Sequence, residues 1–126
     1  MASRFTELAV DCTDADALAC FWCSVLDYEV QREADDGCIT IGPPERNSHR
    51  GPVPPVLTFA PVPEGKTLKN RLHIDLEPSD RGQGEEVRRL LELGAQYADV
   101  GQGEESWVVL ADPEGNEFCV LADRRS

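Results

Sequence analysis

The sequence predicts an α+β fold: two tandem β-α-β-β-β units that form a curled mixed sheet around a central cup, with the helices on its outer face. Three observations carry this. The segment Glu7 to Asp14 (ELAVDCTD) is echoed by His73 to Asp80 (HIDLEPSD), with Asp11 falling on Glu77. Each copy is followed by a stretch with apolar residues at helical spacing. The chain then closes on two hydrophobic runs, Trp107 to Leu110 and Phe118 to Leu121, separated by Asp112-Pro113-Glu114-Gly115-Asn116, which reads as a β-hairpin. A unit of this size cannot bury both faces of its sheet. Two units together extend and curl the sheet, so that one face lies under helices and the other lines a cup.

The elements follow in order. Phe5 to Asp11 alternates as a strand, with Thr6, Leu8 and Val10 on one side and Glu7, Ala9 and Asp11 on the other. Thr13 or Asp14 caps a helix from Ala15 to Leu26, whose buried stripe is Leu18, Phe21, Trp22 and Val25. Tyr28 to Arg32 and Gly37 to Ile41 form a hairpin around Ala34 to Gly37. Residues 42–55 hold five prolines, a density that excludes helix and central strand, and they read as a surface loop. Val56 to Phe59 completes the first unit, placed at 5–60. The second, placed at 70–123, opens with Leu72, Ile74 and Leu76 alternating with His73, Asp75 and Glu77. Ser79 or Asp80 starts the approach to a helix from about Gly84 to Leu93, with Val87, Leu90 and Leu91 buried and Gly94 just past its end. Strands over Tyr97 to Val100, Trp107 to Ala111 and Glu117 to Leu121 follow, with a turn at Gly101 to Glu105. In both first strands the apolar face is expected under the helix. The opposite face carries Glu7, Asp11, His73, Asp75 and Glu77.

Composition narrows the function. With 24 acidic against 12 basic residues the net charge is −12, which repels nucleic acid and anionic membranes. No stretch approaches the roughly 18–20 apolar residues of a membrane span. Residues 1–7 lack the apolar core of a signal peptide. Five cysteines (12, 20, 23, 38 and 119) without a regular framework read as reduced thiols of a cytoplasmic protein. Cys20 and Cys23 form a CxxC within a helix, where helix packing is the simplest role. No second ligand pair stands at zinc-finger spacing. No Ser-His-Asp pattern, P-loop or GxGxxG is present.

Several blocks together resemble the glyoxalase-like members of the vicinal oxygen chelate superfamily, which includes glyoxalase I, extradiol dioxygenases, methylmalonyl-CoA epimerase and drug-sequestering resistance proteins. These are Val10 to Asp14 with Phe21-Trp22 and Leu26 to Tyr28, then Lys69 to Leu76, Leu93 to Ala95, and Trp107 to Cys119. The chain is most similar to an actinobacterial-type subgroup for which no common reaction is established. The resemblance implies a homodimer. It also implies one divalent metal in the cup, held by a His, Gln or Glu from each first strand and a Glu late in each unit. Glu7 and His73 occupy the first-strand positions. Cys119 stands where the second late Glu belongs, and the first late position falls near Phe59 or Ala60. A Glu/His/Cys set suits zinc, nickel or iron better than magnesium or manganese. The plainer alternatives are a solvent-facing Glu7, a hydrogen-bonded strand histidine at His73 and a buried, inert Cys119.

His73 can also act without metal, as a general acid or base oriented by Asp75 or Glu77, abstracting a proton next to a carbonyl. Asn70 and Arg71 stand ready either for an anionic group or for loop hydrogen bonds. Trp107 either walls the cup or packs the core, and His49 in the proline-rich loop is expected to be exposed. Glu7, Asp11, Asp75, Glu77, Trp107 and Cys119 are therefore the expected ligand-pocket residues. Two functions follow: a lyase- or isomerase-type enzyme acting on a small carbonyl or hydroxyacid compound, or a non-catalytic protein that sequesters a small molecule. An accessory domain with a filled cup is the third.

Overall fold

A computed structural model describes residues 2–3, 5–44, 56–98 and 106–122. The chain divides into two compact units, Met1–Gly65 and Lys66–Ser126. The expectations for most of the 42–55 loop, for His49, for the Gly101 to Glu105 turn and for residues 99–100 fall outside the described residues.

Unit one contains β1 (Glu7–Cys12), α1 (Ala15–Leu26), β2 (Glu29–Glu33), β3 (Ile39–Gly42) and β4 (Val56–Pro61). Unit two repeats the order with β5 (Ile74–Leu76), α2 (Gln83–Leu93), β6 (Gln96–Tyr97), β7 (Val108–Ala111) and β8 (Glu117–Val120). Each unit forms a four-stranded mixed sheet, ordered β1-β4-β3-β2 in one and β5-β8-β7-β6 in the other. The first strand of each unit pairs parallel to the last, and the remaining pairs are antiparallel. The α+β class and the β-α-β-β-β repeat are both present.

α1 begins where Asp14 Oδ1 accepts a hydrogen bond from the Ala17 N–H at 3.1 Å. It ends at Asp27, whose left-handed conformation (φ 56°) lets the Tyr28 N–H reach the Cys23 carbonyl. Its buried side chains include Leu18, Phe21 and Trp22, the last two packed edge to face at 5.2 Å. Val25 is only half-buried. In the CxxC, Cys20 is exposed and Cys23 half-buried, so only part of the pair packs. The helix lies mainly over β3 and β4. Ile39, Ile41, Leu57 and Phe59 are buried there, each contributing about 1.5–3 kcal/mol. The first-strand residues Leu8 and Val10 share that face but are half-buried, because the parallel crossover leaves β1 at the sheet edge.

In unit two Leu90, Leu110, Phe118 and Val120 are essentially inaccessible, and Leu76 and Val87 join them. Leu72 departs from expectation. The strand starts only at Ile74, and Leu72 is 81 % exposed. Ser79 and Asp80 belong to the loop before the helix, and α2 starts from Gly82 without a side-chain cap. Gln83 instead ties the helix start to the sheet, donating to the Ser106 and Val120 carbonyls at 2.8 and 3.0 Å. Gly94 ends the helix at φ 122°, a conformation that excludes a side chain. Among the described residues, no helix is long and apolar enough to cross a membrane.

The final hairpin is organised by Asp112. Its buried Oδ1 accepts from the Glu114 and Asn116 N–H groups, both at 2.9 Å, and Gly115 supplies the positive φ (89°) that the turn needs. This turn sets the pairing of Val109 with Cys119, and so places Cys119 on the non-helical face of the sheet.

Candidate functional site

The candidate site is a cavity of about 440 Å³ on the sheet of unit two. Strand alternation builds its floor. Asp75 and Cys119 are register partners in the parallel β5–β8 pair, and Val109 partners Cys119 across β7. Partners project to the same face, while Ile74, Leu76, Phe118 and Val120 project to the other. His73, immediately before β5, completes the floor, and Trp107, immediately before β7, forms a wall. Trp107 is 37 % exposed and belongs to the cavity rather than the core.

The polar groups converge. His73 Nδ1 lies 3.0 Å from Asp75 Oδ1. An ionised carboxylate only accepts, so Nδ1 carries the proton in this bond and Nε2 is left as the basic nitrogen. Cys119 Sγ lies 3.9 Å from the same Nδ1. Burial pushes the Cys119 thiol up, and the neighbouring Asp75 carboxylate adds to this, against a smaller opposing effect of Lys69. At neutral pH Cys119 is a thiol in this environment, not a thiolate nucleophile.

Two polar residues of the cavity, Lys69 and Glu117, were not among the expected site residues, and Lys66, outside the lining, pairs with Glu117. Lys69 lines the cavity, and its ammonium donates to the Asn70 carbonyl at 3.1 Å. Glu117 accepts from Lys66 Nζ at 2.7 Å with one oxygen and from the Asn70 N–H at 3.0 Å with the other. Burial alone would raise its carboxyl, but these hydrogen bonds outweigh it and hold the group below the ordinary glutamate range. Glu117 thereby fastens the segment carrying Lys69 and Asn70 to the sheet. The available signal was its spacing: Glu117 stands two residues before Cys119 on one strand, hence on the same face.

The remaining expected residues lie elsewhere. Arg71 and Glu77 are exposed and do not line this cavity. Glu7 and Asp11 are exposed on β1 of unit one. There Glu7 is engaged: Arg32 donates to Thr40 Oγ1 at 3.3 Å, Thr40 and Thr58 share a hydrogen bond of 2.8 Å, and Thr58 donates to the Glu7 carboxylate. The registers also settle the late position of unit one. Ala9 pairs with Thr58 as Asp75 pairs with Cys119, so the counterpart of Cys119 is Thr58, not Phe59 or Ala60.

The donors present do not fit an oxygen-preferring divalent ion. Neither late position carries a carboxylate. Among the described residues, the one cluster with metal-ligating potential is His73, Asp75 and Cys119, whose donor atoms all lie within 4.8 Å of one another.

Comparison with known proteins agrees with this architecture. The family described as Glyoxalase-like domain matches residues 7–121, and the chain belongs to it. No curated protein matches. Among solved structures, the fosfomycin resistance protein FosX of Listeria monocytogenes is similar over 97 % of this chain and 93 % of its own, at 12 % identity and a TM-score of 0.70. A mutant of that protein, complexed with Mn(II) and 1S,2S-dihydroxypropylphosphonic acid, matches over 98 % and 92 % at 13 % identity and TM-score 0.67. A glyoxalase/bleomycin resistance/dioxygenase family enzyme of Burkholderia phytofirmans PsJN matches over 94 % and 97 % at 14 % identity and TM-score 0.64. At these identities the likeness shows the fold of the superfamily.

Proposed function

From its membership of the glyoxalase-like family, we propose that this protein is a lyase- or isomerase-type enzyme that binds a small carbonyl or hydroxyacid compound in the unit-two cavity. The observation that carries the reading is the His73–Asp75 pair at 3.0 Å on the floor of that cavity. Asp75 holds the Nδ1 proton and orients the ring. Nε2 then takes a proton from the carbon next to the substrate carbonyl and returns it. Lys69 and the Asn70 side chain receive the anionic group or the oxygen on which charge develops. Trp107, Val109 and Leu121 supply the apolar walls that exclude water. The neighbour complexed with a dihydroxypropylphosphonic acid supports a small, oxygen-rich anion as the kind of compound this fold accepts. The reading includes a homodimer acting in the cytoplasm.

A second reading is favoured by one observation. Thr58 and Cys119 stand where catalytic members carry carboxylates, which supports a protein that sequesters its compound without turnover.

One experiment separates the two. A panel of small 2-oxo and 2-hydroxy acids is incubated with the protein in D2O, and loss of the proton next to the carbonyl is followed by NMR beside thermal stabilisation. Exchange that disappears in His73→Ala and Asp75→Asn is expected of the enzyme. Stabilisation without exchange replaces that reading with sequestration. Neither effect from any member of the panel overturns both.

A further inference from the structure

We infer that the unit-two cavity is polarised from end to end for an amphipathic acid, with Lys69 and Asn70 taking the carboxylate and Trp107 and Leu121 taking an aromatic tail. The ligand class is an arylalkyl 2-hydroxy or 2-oxo acid, not a three-carbon one. The inference rests on the proposed use of this cavity as the ligand site and deepens it.

Strand register sorts the lining into rows across the sheet. Asp75, Cys119 and Val109 form the middle row. On one side of it stands Glu117, and the β5–β8 pairing continued by one step sets His73 beside it. On the other side, the β7–β8 pairing continued by one step sets Trp107 opposite Leu121. Glu117 and Leu121 are four residues apart along extended chain, so the two ends of the floor lie about 13 Å from one another.

The Glu117 end is polar, and its unmatched charge is positive. Glu117 is met by Lys66 Nζ at 2.7 Å and by the Asn70 N–H at 3.0 Å, and Asp75 is bonded to His73. Lys69 bonds the Asn70 carbonyl, and among the described residues no carboxylate pairs with its ammonium. Its charge reaches the cavity floor, where it opposes the rise of the Cys119 thiol. An ammonium and a side-chain amide on adjacent residues supply the donors that a carboxylate accepts.

The opposite end carries no charge. Trp107 is 37 % exposed beside Val109 and Leu121, so an indole surface stands open to an apolar group or a second ring. The cavity, at about 440 Å³, falls in the range of about 300–1,000 Å³ that holds drug-sized ligands. A three-carbon acid held at Lys69 would leave the apolar end filled with water, whereas an aryl group displaces it. In this orientation the carbons next to the acid group lie at the His73 end, where proton transfer is proposed.

The test is titration calorimetry of the full chain with 3-phenyllactate, with lactate, which lacks the ring, and with 3-phenylpropane-1,2-diol, which lacks the acid. The aromatic acid is expected to bind about tenfold or more tightly than either. Lys69→Met should reduce its advantage over the diol to about threefold or less and spare its advantage over lactate. Trp107→Ala should do the reverse, and Trp107→Phe should retain both, which separates loss of the ring from loss of the fold. Equal binding of lactate or of the diol, no binding of 3-phenyllactate, ratios unmoved by either variant, both ratios collapsing together, or loss of the preference in Trp107→Phe would each overturn the inference. Affinity and deuterium exchange are separate readouts. The expected binding pattern without exchange ends the enzyme reading alone, and exchange confined to short acids ends this inference alone.

Discussion

The two units share strand order, helix placement and sheet pairing, yet their non-helical faces are chemically different. In unit one, equivalent positions carry Glu7, Ala9 and Thr58, and the polar groups satisfy one another through Arg32, Thr40, Thr58 and Glu7. In unit two they carry His73, Asp75 and Cys119, which converge on a cavity walled by Trp107. The repeat shows that the fold tolerates either outcome, because the packing that stabilises each unit lies on the opposite face of its sheet. The cavity is therefore lined by residues of the non-helical face, among which Val109 and Cys119 are also buried.

The largest expected effect tests whether both cores are equally required. Phe59→Ala in unit one and Phe118→Ala in unit two each remove a fully buried ring. Each should lower stability by about 3–5 kcal/mol, read by chemical denaturation. A large difference between them would show that one unit dominates stability.

The next effect concerns activity and should be one-sided. His73→Ala is expected to reduce proton exchange on a responsive compound by about 100-fold or more. A comparable loss from Thr58→Val would break the comparison, because it would assign the faces of both units to the reaction.

Glu117→Gln addresses the fastening of Lys69 and Asn70. The folded carboxyl titrates below the ordinary glutamate value of 4.5, so its stabilisation is complete above that value and fades as pH falls through the lower folded value. The substitution should cost about 1 kcal/mol at pH 7 and nothing once the pH is below that window, measured by denaturation at both pH values. It should also weaken binding of anionic compounds, since the loosened segment carries their contacts.

The smallest effect is expected from Thr58→Val. It removes two hydrogen bonds but leaves Thr40 bonded to Arg32, so a loss of about 1 kcal/mol is expected, with ligand binding unchanged. A gain in stability would show that the polar chain of unit one is not stabilising.

Local signals made much of the fold legible in the amino-acid order. The cap at Asp14 and the spacing of Leu18, Phe21 and Trp22 define a helix with the bounds Ala15–Leu26. The Asp112 to Asn116 turn, with its side-chain bonds and Gly115, defines the last hairpin, and the echo of Glu7–Asp14 in His73–Asp80 reveals the repeat. These features depend on residues close together in the chain, whose geometry is dictated by steric and hydrogen-bonding rules. His73 and Asp75 stand out by strand alternation and Trp107 by its place at the start of the last hairpin, whereas Cys119 is marked only by the family resemblance.

What only the tertiary structure decided depends on residues far apart in sequence. Alternation placed Leu72 under a helix, but β5 is too short to include it and it is exposed. Alternation also said nothing of which residue of β8 would stand beside Asp75. Register, a property of two strands more than forty residues apart, brought Cys119 there and made Thr58 its counterpart in unit one. Lys66 and Glu117 meet across a similar separation, and no local pattern announces that contact. The sequence determined the elements and the polarity of their faces. The pairing of strands decided which polar residues share a site, because a hydrogen-bonded register relates positions that no period along the chain connects.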